Sequence, residues 1–87
     1  DQALRMFQEA LEADKPITVD SMNMADNATL AAEAKGWNVY GNHAYAVEAV
    51  DLASKTVTLQ NPWGSSHVKE LPIADFMRFY RGVRVGD

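Results

Sequence analysis

Ala44-Tyr45-Ala46-Val47-Glu48-Ala49 and, after a short connector, Thr56-Val57-Thr58-Leu59-Gln60 both alternate along the chain. Tyr45, Val47 and Ala49 stand on one parity of the first string, and Val57 and Leu59 on one parity of the second. Alternation with a period of two predicts strands with one buried face. The connector Asp51-Leu52-Ala53-Ser54-Lys55 carries turn residues at both ends, so the strands are expected to pair as an antiparallel hairpin. Register is then set by burial, because a slip of one residue would turn the apolar set to water. The expected buried face is Tyr45, Val47 and Ala49 against Val57 and Leu59.

The same parity carried outward puts His43 and Asn61 on that face, at the open end of the hairpin. Opposed side chains there have Cβ atoms about 4.5–5.5 Å apart, within reach of a hydrogen bond. A histidine that takes a proton from a nucleophile needs one ring nitrogen free and the other held. An asparagine carbonyl can hold it without adding charge. Pro62 has no N–H to continue the ladder and should end the strand. Trp63 could cover the His–Asn pair and keep water away, and Gly64 lets the backbone turn out.

Asn42-His43-Ala44-Tyr45-Ala46-Val47, followed 18 residues after the histidine by Asn61-Pro62-Trp63-Gly64, resembles the C-terminal half of the calpain-type, papain-like cysteine protease core. The resemblance covers most of the chain but is specific only in these two strings. It implies His43 as general base and acid, Asn61 as the group that orients it, and Trp63 as a shield, with Pro62 and Gly64 in support. It also implies a partner: an N-terminal lobe of the parent chain bearing the cysteine on a helix N-terminus, where the dipole lowers the thiol pKa. The family associates the region after Asn-Pro-Trp-Gly with calcium. Here Ser65-Ser66-His67-Val68-Lys69-Glu70 stands in that place and matches none of the acidic ligands, so no cofactor and no metal are carried over.

Composition narrows the field. Eighty-seven residues make one small domain, which buries only about 60% of its unfolded surface and is marginal without help. The chain has no cysteine, so it holds neither a disulfide nor a thiol nucleophile of its own. A net charge of −4 argues against a nucleic-acid partner, and no apolar run approaches the roughly 20 residues that would span a bilayer. No signal-peptide pattern opens the chain, and Asp1 in place of Met suggests an excised or processed piece. An intracellular enzyme and an exported bacterial effector both tolerate this composition.

Read in order, residues 2–14 predict an amphipathic helix with Leu4, Phe7 and Leu11 on its apolar stripe, ended by Pro16. Ile17–Met22 predicts a strand. Ala28–Lys35 reads as a short helix capped by Asn27, with Gly36 at C′, or as a loop toward the site. Leu71–Tyr80 reads as a helix with Pro72 near its first turn, and Val83–Val85 as a closing strand.

Each signal has a plainer reading. A lone histidine is more often a satisfied core or edge residue. Asn61 before Pro62 would serve to start a turn, and Trp63 as a core aromatic. What lifts His43 above its plain reading is the second string. His67 lacks such a partner and is expected at the surface. His43, His67, Asp20 and Glu70 fit no metal spacing. Ser65 and Ser66 lack the Gly-x-Ser-x-Gly elbow. Arg78, Arg81 and Arg84 suit a solvated face near a helix C-terminus.

The expected fold is therefore α+β: an N-terminal helix on a small curved antiparallel sheet, resembling the second, barrel-like lobe of the papain-like fold. The expected function is the His/Asn half of a calpain-like endopeptidase acting on protein or peptide, inactive as this chain alone. The alternative is a non-catalytic, protease-like interaction domain of a larger protein.

Overall fold

A computed structural model of the chain describes residues 1–86. The described residues form an α+β structure, with three helices and a five-stranded antiparallel sheet. In order the elements are α1 (Gln2–Glu12), β1 (Ile17–Ser21), α2 (Ala28–Gly36), β2 (Ala44–Asp51), β3 (Thr56–Gln60), β4 (Val68–Pro72), α3 (Ile73–Phe79) and β5 (Tyr80–Val85). The sheet order is β4-β3-β2-β1-β5, so β4 and β5 are its edges.

α1 starts where Asp1 Oδ1 accepts from the N–H groups of Ala3 (2.8 Å) and Leu4 (3.4 Å), two of the donors a helix start leaves unpaired. It stops short of the expected end. Asp14 turns left-handed (φ 57°), and the Lys15 N–H returns to the Ala10 carbonyl, so Pro16 lies beyond a stop already made. Leu4, Phe7 and Ala10 are buried and Leu11 is half-buried beside them. Burying Leu4 and Phe7 is worth roughly 1.5–3 kcal/mol each. Phe7 meets Phe76 of α3 edge to face, at 5.7 Å between centroids, so both helices lie on one face of the sheet.

The hairpin forms as expected, with one correction. A bulge between Val47 and Ala49 sets two residues of β2 against Thr58. Parity reverses there: Ala49 points outward and is exposed, and Val50, paired with Val57, takes its place on the inner side. Tyr45, Val47, Val57 and Leu59 remain buried.

α2 is a helix rather than a loop, and Asn27 Oδ1 caps it by accepting from Leu30 N–H at 3.0 Å. Gly36 is its last residue and is not the left-handed one; that conformation falls to Asn38 (φ 64°), a residue type that tolerates it.

Ser65–Glu70 contains the start of a strand that its sequence does not announce. In β4, Val68 and Leu71 both point inward although they are three apart, because the ladder to β3 shifts between them and Glu70 is left-handed (φ 49°). α3 is shorter than expected at both ends, since Leu71 and Pro72 belong to β4 and Tyr80 already belongs to β5.

α3 has seven residues, so Pro72 and Tyr80 lie about 12 Å apart along it. A flat five-stranded sheet would separate its edge strands by about 19 Å. The sheet must curl for so short a helix to join its two edges. The curl brings Tyr80 of β5 to 5.7 Å from Tyr45 of β2, edge to face.

Candidate functional site

His43 stands just before β2, on a backbone gripped from β1. Ser21, fully buried, donates its N–H to the His43 carbonyl at 2.9 Å. The His43 N–H donates to Ser21 Oγ at 2.9 Å, and Ser21 Oγ donates to the Tyr40 carbonyl at 2.6 Å. The approach to His43 is tight. Asn42 is left-handed (φ 54°), and a Cβ on Gly41 would stand 3.1 Å from the Met22 carbonyl oxygen. Asn42 Oδ1 accepts from Arg81 at 3.3 Å. Below the imidazole lies Tyr45, edge to face at 4.9 Å. The Tyr45 hydroxyl accepts from Tyr40 N–H (2.8 Å) and donates to the Asn38 carbonyl (3.2 Å). Burial pushes this phenol's pKa up, although the hydrogen bond from Tyr40 pulls the other way.

Asn61 follows the last residue of β3 and is almost completely buried, 1% exposed. Ala46 pairs with Gln60, so the register carried one step further would face Asn61 to Tyr45. His43 therefore meets Asn61 on the diagonal rather than directly across. His43 Nε2 lies 3.0 Å from Asn61 Oδ1.

The roles in that contact follow from a third group. The backbone N–H of Trp63 also points at Asn61 Oδ1, at 3.0 Å, and a backbone N–H can only donate. The amide must turn its oxygen toward Trp63, so the hydrogen between His43 and Asn61 sits on Nε2. Neutral His43 is thereby the Nε2–H tautomer, and Nδ1 is left with its lone pair. Nδ1 has no hydrogen-bond partner among the described residues.

Pro62, Trp63 and Gly64 form the turn after Asn61. The Gly64 N–H closes it onto the Asn61 carbonyl at 3.0 Å, with Gly64 left-handed (φ 81°). Pro62 is exposed at the strand end. The Trp63 ring lies against His43, centroids 4.3 Å apart, and against Tyr40 at 5.6 Å. Trp63 is itself 64% exposed, so the ring against His43 is a surface cover rather than a core aromatic.

Two further residues join the site that sequence reasoning left out. Ser21 lay in a predicted strand with nothing to mark it. His67, expected at the surface, is half-buried, and its Nδ1 accepts from the Asn61 N–H at 2.9 Å. Its carbonyl accepts from Asn38 Nδ2 at 3.2 Å. With Gly36, Trp37, Asn38, Ser66 and Lys69, His67 lines an open groove of ≈ 450 Å³ whose lining includes neither His43 nor Asn61. A buried serine at a strand end and a histidine six residues after an asparagine are not signals that pattern alone can rank.

The remaining candidates disperse. Asp20 pairs with Arg84 at 2.9 Å, Arg81 donates to Asn42 and Arg78 bridges Glu33 and Asp75, so the three arginines serve separate neighbours. Neither Ser65 nor Ser66 hydrogen-bonds His43 among the described residues. The arrangement can hold a neutral imidazole in one tautomer, with its free nitrogen available as a base. Compared with family models, curated proteins and solved structures, the chain has no match.

Proposed function

We propose that this chain is the His/Asn half of a calpain-like cysteine endopeptidase, resembling the second lobe of the papain-like fold. The observation that carries the reading is the 3.0 Å contact between His43 Nε2 and Asn61 Oδ1, with its tautomer set by the Trp63 N–H. Around it stand the Asn-His-Ala-Tyr and Asn-Pro-Trp-Gly strings that the family resemblance rests on.

The chain has no cysteine, so the thiol comes from the N-terminal lobe of the parent chain. His43 Nδ1 takes the thiol proton, and the thiolate attacks the scissile carbonyl of a protein or peptide. The imidazolium returns that proton to the leaving amine as the tetrahedral adduct collapses to an acyl-enzyme. Water, deprotonated by the same nitrogen, then attacks the thioester carbonyl. The C–S bond breaks, the carboxylic acid leaves, and the imidazolium returns its proton to the departing thiolate. Asn61 holds the ring through both halves of the cycle and does not itself exchange the proton. The oxyanion donors belong to the other lobe.

The test is peptide hydrolysis by the longest natural polypeptide that carries this sequence. Turnover of a fluorogenic peptide is expected, blocked by iodoacetamide and lost in His43→Ala. The 87-residue chain alone should show none. Turnover that ignores the alkylating agent, or survives His43→Ala, defeats the reading. Complete inactivity of the longer polypeptide points instead to a protease-like interaction domain.

A further inference from the structure

We infer that His67 is a positioning residue: in neutral form, it anchors the Asn61 backbone and through it sets the side chain that holds His43. The inference concerns the same site as the proposed peptidase and takes its catalytic meaning from that reading. The hydrogen-bond relationship itself does not depend on it.

Apart from the Gly64 N–H on its carbonyl, Asn61 is weakly secured on its own. Its Nδ2 is buried without a hydrogen-bond partner among the described residues, so the amide is held only at its oxygen. That oxygen is shared by the Trp63 N–H and His43 Nε2. The chain beyond cannot supply a strand ladder, because Pro62 has no N–H and the segment turns at once through Gly64. The β3 ladder itself ends at Gln60.

The Asn61 N–H is thus the last donor of the strand, and an imidazole nitrogen takes the place of a backbone carbonyl for it. His67 can do this because it is fixed from behind. Val68 opens β4 directly after it, and Asn38 Nδ2 donates to the His67 carbonyl. A backbone N–H cannot accept, so His67 Nδ1 must be unprotonated and neutral His67 must carry its proton on Nε2. Both histidines of the chain are therefore held in one tautomer by opposite ends of a single residue. An imidazolium at position 67 would present N–H to N–H and release Asn61.

The anchor is read directly in the 87-residue chain at neutral pH, by a 15N–15N coupling across the hydrogen bond between Asn61 N and His67 Nδ1. Long-range 1H–15N correlations should report Nδ1 of His67 as unprotonated. Absence of the coupling, or a proton on Nδ1, overturns the inference and needs no substitution to see.

Positioning is separated from mere packing by two polar variants. Asparagine places its oxygen where Nδ1 stood, whereas glutamine places it near Nε2. In His67→Gln, exchange of the Asn61 amide should quicken by roughly tenfold, the weight of one hydrogen bond, and the His43 Nε2–H signal expected in the parent chain should broaden away. In His67→Asn both should return toward the parent values. Equal behaviour of the two variants defeats the positioning role. In the longer polypeptide, kcat should fall in His67→Gln and recover in His67→Asn with KM little changed. A parent without peptidase activity would sink the proposed function and leave the coupling and exchange results standing.

Discussion

Ser21 and His43 hold each other by reciprocal hydrogen bonds: Ser21 N–H to the His43 carbonyl, and His43 N–H to Ser21 Oγ, each at 2.9 Å. The first is an ordinary backbone bond between neighbouring strands. The second exists only because residue 21 carries a hydroxyl, and the same hydroxyl satisfies Tyr40. Ser21→Ala leaves the His43 N–H and the Tyr40 carbonyl unpaired behind the site. The expected cost is about 1–3 kcal/mol, read as a lower urea midpoint with an unchanged m-value. A loss well under that range would mean that water replaces the hydroxyl.

Asn61→Ala removes the acceptor shared by His43 and Trp63 and also removes the orphaned Nδ2. Loss and relief oppose each other, so the stability change should be small, on the order of 1 kcal/mol. The His43 ring should change far more. Its Nε2–H signal, expected to exchange slowly in the parent chain because Asn61 Oδ1 holds it, should vanish from the proton spectrum. A ring proton that survives the substitution would assign the restraint on His43 to some other group.

Gly64 closes the Asn61–Gly64 turn at φ 81°, and a Cβ there would meet nothing within 4 Å. The penalty in Gly64→Ala is therefore conformational rather than steric. It should amount to about 1–2 kcal/mol, seen as a fall in thermal midpoint. Trp63 should become more mobile against His43, with a change in fluorescence anisotropy best read in a Trp37→Phe background. An unaltered midpoint would show that the turn tolerates a side chain at this φ.

The Tyr80 hydroxyl is buried and has no hydrogen-bond partner among the described residues. Burial first, and the neighbouring Tyr45 second, push its pKa well above the ordinary tyrosine value. Tyr45 is shifted the same way, chiefly by burial. The folded state therefore keeps these protons at pH values where the unfolded chain, with an ordinary tyrosine pKa near 10.0, has released them. Stability from this source is whole below about pH 10 and is lost as pH climbs past it. Urea midpoints should decline on the alkaline side, and less steeply in Tyr80→Phe. At neutral pH the same variant should be as stable as the parent or slightly more so, because no hydrogen bond is given up. A large neutral-pH loss would reveal a partner for the hydroxyl.

Much of the architecture could be read from pattern. Leu4 and Phe7 marked a helix face, the alternation through Tyr45–Val47 and Val57–Leu59 marked a hairpin, and Asn27 marked a helix start; all three are present. Two of the departures, both in the sheet, share a cause. Ala49 turned outward because an extra residue enters β2, and Val68 with Leu71 became a strand because a left-handed Glu70 re-phases β4. Bulges shift parity without changing composition, so a period-two count cannot see them. The helix-like spacing of Val68 and Leu71 even points the wrong way.

At the site the division is equally physical. Residue types and spacing were enough to nominate His43 and Asn61, since a hairpin with a buried face restricts which side chains share its open end. Folding alone decided that the two meet on the diagonal and that the Trp63 N–H dictates the tautomer. Folding also brought in Ser21 and His67, 22 residues before one member of the pair and six after the other. Their roles rest on single hydrogen bonds made across a curled sheet and a tight loop, and such contacts depend on where backbones pass rather than on any local preference of the residues that make them.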